Sequence, residues 1–142
     1  MKKALGGFEL QQCDIQGRLF ERSLKKDLDS ADFIEKFMNS QTCRFLDLPY
    51  DRLQWAGEEY IMEELLEETP VKRVGEWYGD EELYWIGYIY RYWHYLTGEG
   101  SQMIYSQAKA ERMKECYLGF HTIDSVMAIE DLKEIHQQEK VV

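Results

Sequence analysis

The chain has 142 residues, 17 basic and 27 acidic side chains, and a formal net charge of −10. An apolar share of 44%, an aromatic share of 14% and two prolines exclude a disordered, collagenous or low-complexity protein and supply chain enough for one core. The acidic balance opposes binding to polyanions, which needs local positive charge, so nucleic acid is an unfavoured partner; no apolar run approaches the ~18–20 residues of a membrane span.

Met1-Lys2-Lys3-Ala4-Leu5 opens like a secretion signal, but Glu9, Gln11, Gln12 and Asp14 interrupt the apolar segment such a signal requires. Cys13, Cys43 and Cys116 are odd in number and widely spaced, which suits neither a disulfide framework nor a zinc site. A cytoplasmic location is expected. Apolar residues then recur at three and four: Ile15 and Leu19, then Phe20, Leu24 and Leu28 in the first segment, Phe33/Phe37 and Ile34/Met38 in the second. Asp29-Ser30 suits the N-cap of a helix over 31–39, because a short side-chain oxygen accepts from a free first-turn N–H, and Ser40 suits the cap of a short helix after it. Pro49 fits the first turn of a longer helix reaching about Glu68, capped by Asp47 or Leu48, with Leu53, Gly57, Tyr60, Ile61 and Leu65 on one face. Thr69-Pro70 ends it, and Gly75 and Gly79 leave 70–79 as a loop or a short extended piece.

Residues 80–97 form the clearest helix, with Asp80, Glu81 and Glu82 at the positive end of the dipole and Gly98 just past the last turn. Leu83, Ile86 and Tyr90 occupy one face, Trp85, Ile89 and Trp93 a second, Tyr84, Tyr88 and Tyr95 a third, so this helix is expected to be the bundle axis, packed on several sides. Ser101 suits the cap of a short helix to about Ser106, and 108–118 form another ending at Gly119. Thr122 or Asp124 then caps a last helix with Met127, Leu132 and Ile135 inward, fading over 137–142. The expectation is one all-α domain over 1–142, a helical bundle around the aromatic helix, with at most a short strand near 71–78.

Residues 58–82 hold ten acids, Glu58, Glu59, Glu63, Glu64, Glu67, Glu68, Glu76, Asp80, Glu81 and Glu82, against Lys72 and Arg73, a local charge of −8 that leaves −2 elsewhere. Such a block is a solvating face or a docking surface for a basic partner. Glu58-Glu59 and Glu63-Glu64 can share a helical face, but no Glu-x-x-His accompanies them and the histidines are scattered at 94, 121 and 136, so no metal and no cofactor are expected. Phosphate-loop, dinucleotide and hydrolase motifs are lacking, the cysteines carry no nucleophile signature, and no base stands in register with Arg91 and the tyrosines, so a non-enzymatic role is expected. Arg91, inside an aromatic helix, needs a partner: an aromatic face, an anionic ligand, or a carboxylate, with Glu63 the first choice, then Glu59, and Glu64 also in reach. His121, beside Phe120 and ahead of the cap, is expected to be a hydrogen-bonded corner residue.

Leu83-Tyr84-Trp85-Ile86-Gly87-Tyr88-Ile89-Tyr90-Arg91-Tyr92-Trp93, and Phe120-His121-Thr122-Ile123-Asp124 leading into Ala128-Ile129-Glu130, resemble a family of small, uncharacterised bacterial helical proteins associated with toxin–antitoxin cassettes. The resemblance covers mainly 50–135; Ser125 departs from the proline that often follows the aspartate in that family. It implies an intracellular protein that binds another protein, such as a toxin-like enzyme encoded nearby. The expected function is therefore an antitoxin-like or accessory protein that neutralises a basic partner through Glu64, Glu67, Glu68, Glu76, Glu81 and Glu82. Glu68 is expected to be dispensable for stability. The alternative is a helix-turn-helix-like DNA-binding regulator built on 101–117, with Lys109, Arg112 and Lys114 at hand and Glu111 and Glu115 diluting them.

Overall fold

The computed structural model describes residues 4–141; the basic start at Met1 to Lys3 and the chain end at Val142 lie outside the described residues. Among the described residues the fold is all-α: α1 (Gly7–Arg22), α2 (Ser30–Met38), α3 (Gln41–Leu46), a 3-10 turn (Arg52–Trp55), α4 (Glu58–Glu68), α5 (Asp80–Thr97), α6 (Ser101–Gln107), α7 (Ala110–Phe120) and α8 (Ser125–Val141). No strand occurs among the described residues; the segment near 71–78 is a loop with a bend at Val74 and Gly75.

Local chemistry explains most boundaries. The Asp29 carboxylate accepts from Asp32 N–H at 2.9 Å and the Ser40 hydroxyl from Cys43 N–H at 3.0 Å, capping α2 and α3. Asp29 also accepts from Glu76 N–H at 2.7 Å, and Ser30 Oγ from Tyr78 N–H at 2.9 Å, so the 70–79 loop is stitched to the start of α2. The helix expected from Pro49 to Glu68 is in fact two elements. Asp51 caps the 3-10 turn, and Gly57, at φ +86°, breaks the chain direction before α4, leaving Tyr60 exposed. α5 matches its expected bounds: the Glu82 carboxylate accepts from Gly79 N–H at 2.8 Å, and Gly98 takes the left-handed conformation. Ser101 is the first residue of α6, with Gly100 at the cap, and α7 runs through Gly119 to Phe120 because nothing at Gly119 departs from helical geometry. Asp124 precedes α8 and its carbonyl accepts from Ala128 N–H at 2.9 Å; Val126, Ala128, Ile129 and Leu132 face inward, whereas Met127 is exposed and Ile135 only half-buried.

One contiguous apolar cluster draws on all eight helices. α5 lies within it and packs on α1, α6, α7 and α8, most extensively on α1. Two glycines permit that closeness: a Cβ on Gly87 would stand 2.6 Å from the Gln16 carbonyl oxygen, and one on Gly17 2.7 Å from the Tyr84 ring. Gln16 Nε2 donates to the Gly87 carbonyl at 2.9 Å across the same crossing. Of the three faces of α5, Leu83, Ile86, Ile89, Tyr90 and Trp93 are enclosed, but Tyr84, Trp85, Tyr88, Tyr92 and Tyr95 are only half-buried. The axial helix is packed on several sides, as expected, and open along one.

Candidate functional site

On the open side of α5, Tyr84, Tyr88 and Tyr92 recur every four residues and form a ladder, with ring centroids 5.9 and 6.2 Å apart. α7 supplies the opposite wall. Tyr117 meets Trp85 edge-on at 5.8 Å and 77°, and His121 stacks on Tyr117 at 4.2 Å and 9° while its Nδ1 donates to the Tyr117 carbonyl at 2.7 Å. Glu21 of α1 and Glu81 of α5 complete the rim of a cleft of about 610 Å³.

The charged residues of the cleft lining are two carboxylates, Glu21 and Glu81, and the lining contains no lysine or arginine. Burial, then the neighbouring charges of Asp80 and Asp14, raise the Glu21 carboxyl above its ordinary range against the opposing pull of Arg18 and Lys25. Burial followed by Glu81, Glu82 and Asp80 raises the Tyr117 phenol, and burial followed by its 2.5 Å hydrogen bond to Asp14 raises that of Tyr84. Five carboxylates thus bear on one aromatic cavity.

The acids singled out in the sequence have separate fates. Glu59 pairs with Arg22, Glu58 with Arg18 at 3.9 Å and Glu64 with Arg52 at 3.7 Å. Glu68 accepts from Gln41 N–H at 2.7 Å and from Thr42 N–H at 2.9 Å, so it caps α3 and is not a spare surface charge. Glu82 closes the cap of α5. Glu63, Glu67, Glu76 and Glu81 have no side-chain hydrogen bond or ion pair among the described residues.

Arg91 is 2% exposed, and its carboxylate partner is Asp47, not Glu63, Glu59 or Glu64. Nη1 donates to Asp47 at 2.7 Å and to the Leu46 carbonyl at 3.3 Å, Nε to Gln16 at 2.8 Å, and Nη2 to Cys43 Sγ at 3.4 Å. α4 offers only apolar residues to the interior, Ile61, Met62 and Leu65, whereas Asp47 at the end of α3 also accepts from Ser101 N–H at 2.8 Å and Ser101 Oγ at 2.7 Å. With all these contacts made, Arg91 is a structural ion and presents nothing to a ligand. Burial pushes the Cys13 and Cys43 thiols up to about 12, which removes their nucleophilic character at neutral pH. Among the described residues no group of three histidine, cysteine or carboxylate side chains converges as a metal site requires.

In the 101–117 region, Arg112 is engaged by Glu115 at 3.4 Å and by Glu139, and Lys114 lies over the Tyr78 ring at 5.5 Å. α6 and α7 pack mainly on α5 and α2. The sequence reading missed the cleft because the tyrosines of α5 read as core at helical spacing; Glu21, about sixty residues away in sequence, has no local signal at all. No protein-family model matches this chain, and no curated protein or solved structure is significantly similar to it.

Proposed function

We propose that this chain is a protein-binding module, antitoxin-like or accessory in role, that captures and neutralises a basic partner protein through its acidic surface. The observation that carries this reading is the group of carboxylates left without a side-chain hydrogen bond or ion pair among the described residues, Glu63, Glu67, Glu76 and Glu81, of which Glu81 lines the cleft. Unpaired acids cost solubility nothing and fold stability little, but they steer a cationic partner from a distance and raise its association rate. The toxin-like enzyme encoded nearby and the cytoplasmic setting enter through the family resemblance. The DNA-binding alternative is weakened by Arg112, whose charge is already neutralised, and by the net charge of −10.

The test is a kinetic titration of the neighbouring gene's product against the parent and a Glu67→Lys/Glu76→Lys/Glu81→Lys variant at two salt concentrations, with non-specific duplex DNA in parallel. Glu68 and Glu82 are left intact, since both cap helices. The expected outcome is an on-rate lowered by about tenfold or more on charge reversal, and lowered again by salt, at unchanged helical content. Binding indifferent to both changes would refute the acidic-surface reading, and tight DNA binding would transfer it to the regulator alternative.

A further inference from the structure

We propose that the cleft between α5 and α7 is the socket for one arginine side chain of the basic partner, a guanidinium laid against the aromatic lining of Tyr84 and Tyr88 beside the Trp85–Tyr117 pair and held at its N–H edge by Glu21 and Glu81. This inference rests on the protein-binding reading and specifies the residue that the surface takes.

Three observations lead to it. The lining is aromatic: Tyr84 and Tyr88 lie in succession along α5 with centroids 5.9 Å apart, next to the edge-to-face pair of Trp85 and Tyr117, so a flat cation can lie along the half-buried tyrosine rings. A guanidinium is planar and weakly hydrated and stacks on such faces, whereas a lysine ammonium is a compact, strongly hydrated charge that gains less from a flat wall. Charge complementarity disfavours an anion or a neutral ligand: Glu21 and Glu81 are in the lining, which holds no basic residue, and Asp80, Glu82 and Asp14 add to the field while Arg18 and Lys25 offset part of it at Glu21. A cation entering here relieves the crowding around Glu21. The cavity, about 610 Å³ and open, accommodates the side chain together with the backbone on either side of it, as a protein partner requires. The stack of His121 on Tyr117, with its hydrogen bond to the Tyr117 carbonyl, fixes the far wall before any ligand arrives.

The experiment follows the backbone amide resonances of the ¹⁵N-labelled full chain during addition of a short peptide with one arginine between alanines, alongside its lysine and citrulline counterparts. The arginine peptide is expected to shift residues 84–88 and 117–125 saturably, the lysine peptide less, and the citrulline peptide, of equal shape without charge, not at all. Glu81→Gln and Tyr117→Leu are each expected to weaken binding by about three- to tenfold, the effect of one ionic or cation–π contact. Glu81 is exposed and unpartnered, so its variant keeps the test valid if the tyrosine variant misfolds. Equal shifts with arginine and citrulline, shifts confined to α4, or no saturable shift overturns the proposal. If the partner protein meanwhile still binds in a salt-sensitive manner, the protein-binding reading stands and the socket alone falls.

Discussion

Replacing Asp47 by asparagine leaves the Arg91 guanidinium buried without its counter-charge. Breaking a buried pair costs about 3–5 kcal/mol, so Asp47→Asn and Arg91→Ala are each expected to lower the urea unfolding free energy by that order, while Glu63→Gln stays within about 0.5 kcal/mol of the parent. Equal losses at Glu63 and Asp47 would contradict the pairing. Glu68→Ala is expected to cost about 0.5–2 kcal/mol, the value of a helix cap, through the freed N–H groups of Gln41 and Thr42. Glu21→Gln has the opposite sign: removing a charge held against its neighbours at the cleft is expected to stabilise the fold by less than about 1 kcal/mol at neutral pH, while it weakens arginine binding. That Arg91 needs an internal partner was legible in the sequence, because a guanidinium amid aromatic residues on a central helix has no water. The identity of the partner was not, since Asp47 lies 44 positions away and local spacing does not reveal which helices become neighbours.

The crossing of α1 on α5 depends on absent side chains. Gly87→Ala places a methyl group 2.6 Å from the Gln16 carbonyl oxygen, which is backbone and cannot swing aside, so the helices must separate; overpacking of this kind costs about 1–3 kcal/mol or more. Gly119→Ala is the control. It lies in α7, a methyl group there would meet nothing within 4 Å, and the change is expected to stabilise by about 0.4–1 kcal/mol. Thermal unfolding of the two variants reads out the difference, and similar shifts would show that the close approach is not needed. Helix ends were legible where caps are local, at Asp29, Ser40, Gly79 and Gly98. They were illegible at Gly57, because a glycine between two apolar-periodic stretches looks the same whether it continues a helix or takes a positive φ.

For the whole molecule, acid sensitivity follows from groups with lowered pKa values, Asp47, Glu68, Glu99 and His94 together with Asp32, whose ionisation burial opposes and whose pKa Lys36 and Lys72 hold low. Burial opposes ionisation of Asp47 and Glu99, but Arg91 with Ser101 in the first case, and Lys133 with Trp93, Thr97 and Gln107 in the second, outweigh it and hold both carboxyls below their ordinary range. Glu68 is held low in the same way by Gln41 and Thr42. The stability these carboxylates confer is complete above their unfolded values of about 4 and is lost as pH falls toward the lower folded ones. Burial and the Arg91 charge lower the His94 pKa, so the unfolded chain takes that proton first and stability begins to decline below about 6.5. Urea midpoints measured against pH should show both branches, with the lower one flattened by Asp47→Asn; a midpoint constant from about pH 7 to about pH 3 would contradict the linkage. The all-α class and the axial helix were readable from periodicity alone. The cleft was not, because it arises where α1, α5 and α7 meet and no single segment contains it. The bond from Gln16 to Gly87 spans 71 positions, and that distance has a meaning during synthesis. At about 5–20 residues per second, roughly 4–14 s separate the emergence of α1 from that of its chief neighbour. Throughout that interval Cys13, Leu19 and Phe20 have nothing from α5 to cover them, so the half-made chain on the ribosome is the form of this protein most open to proteases and to chaperones.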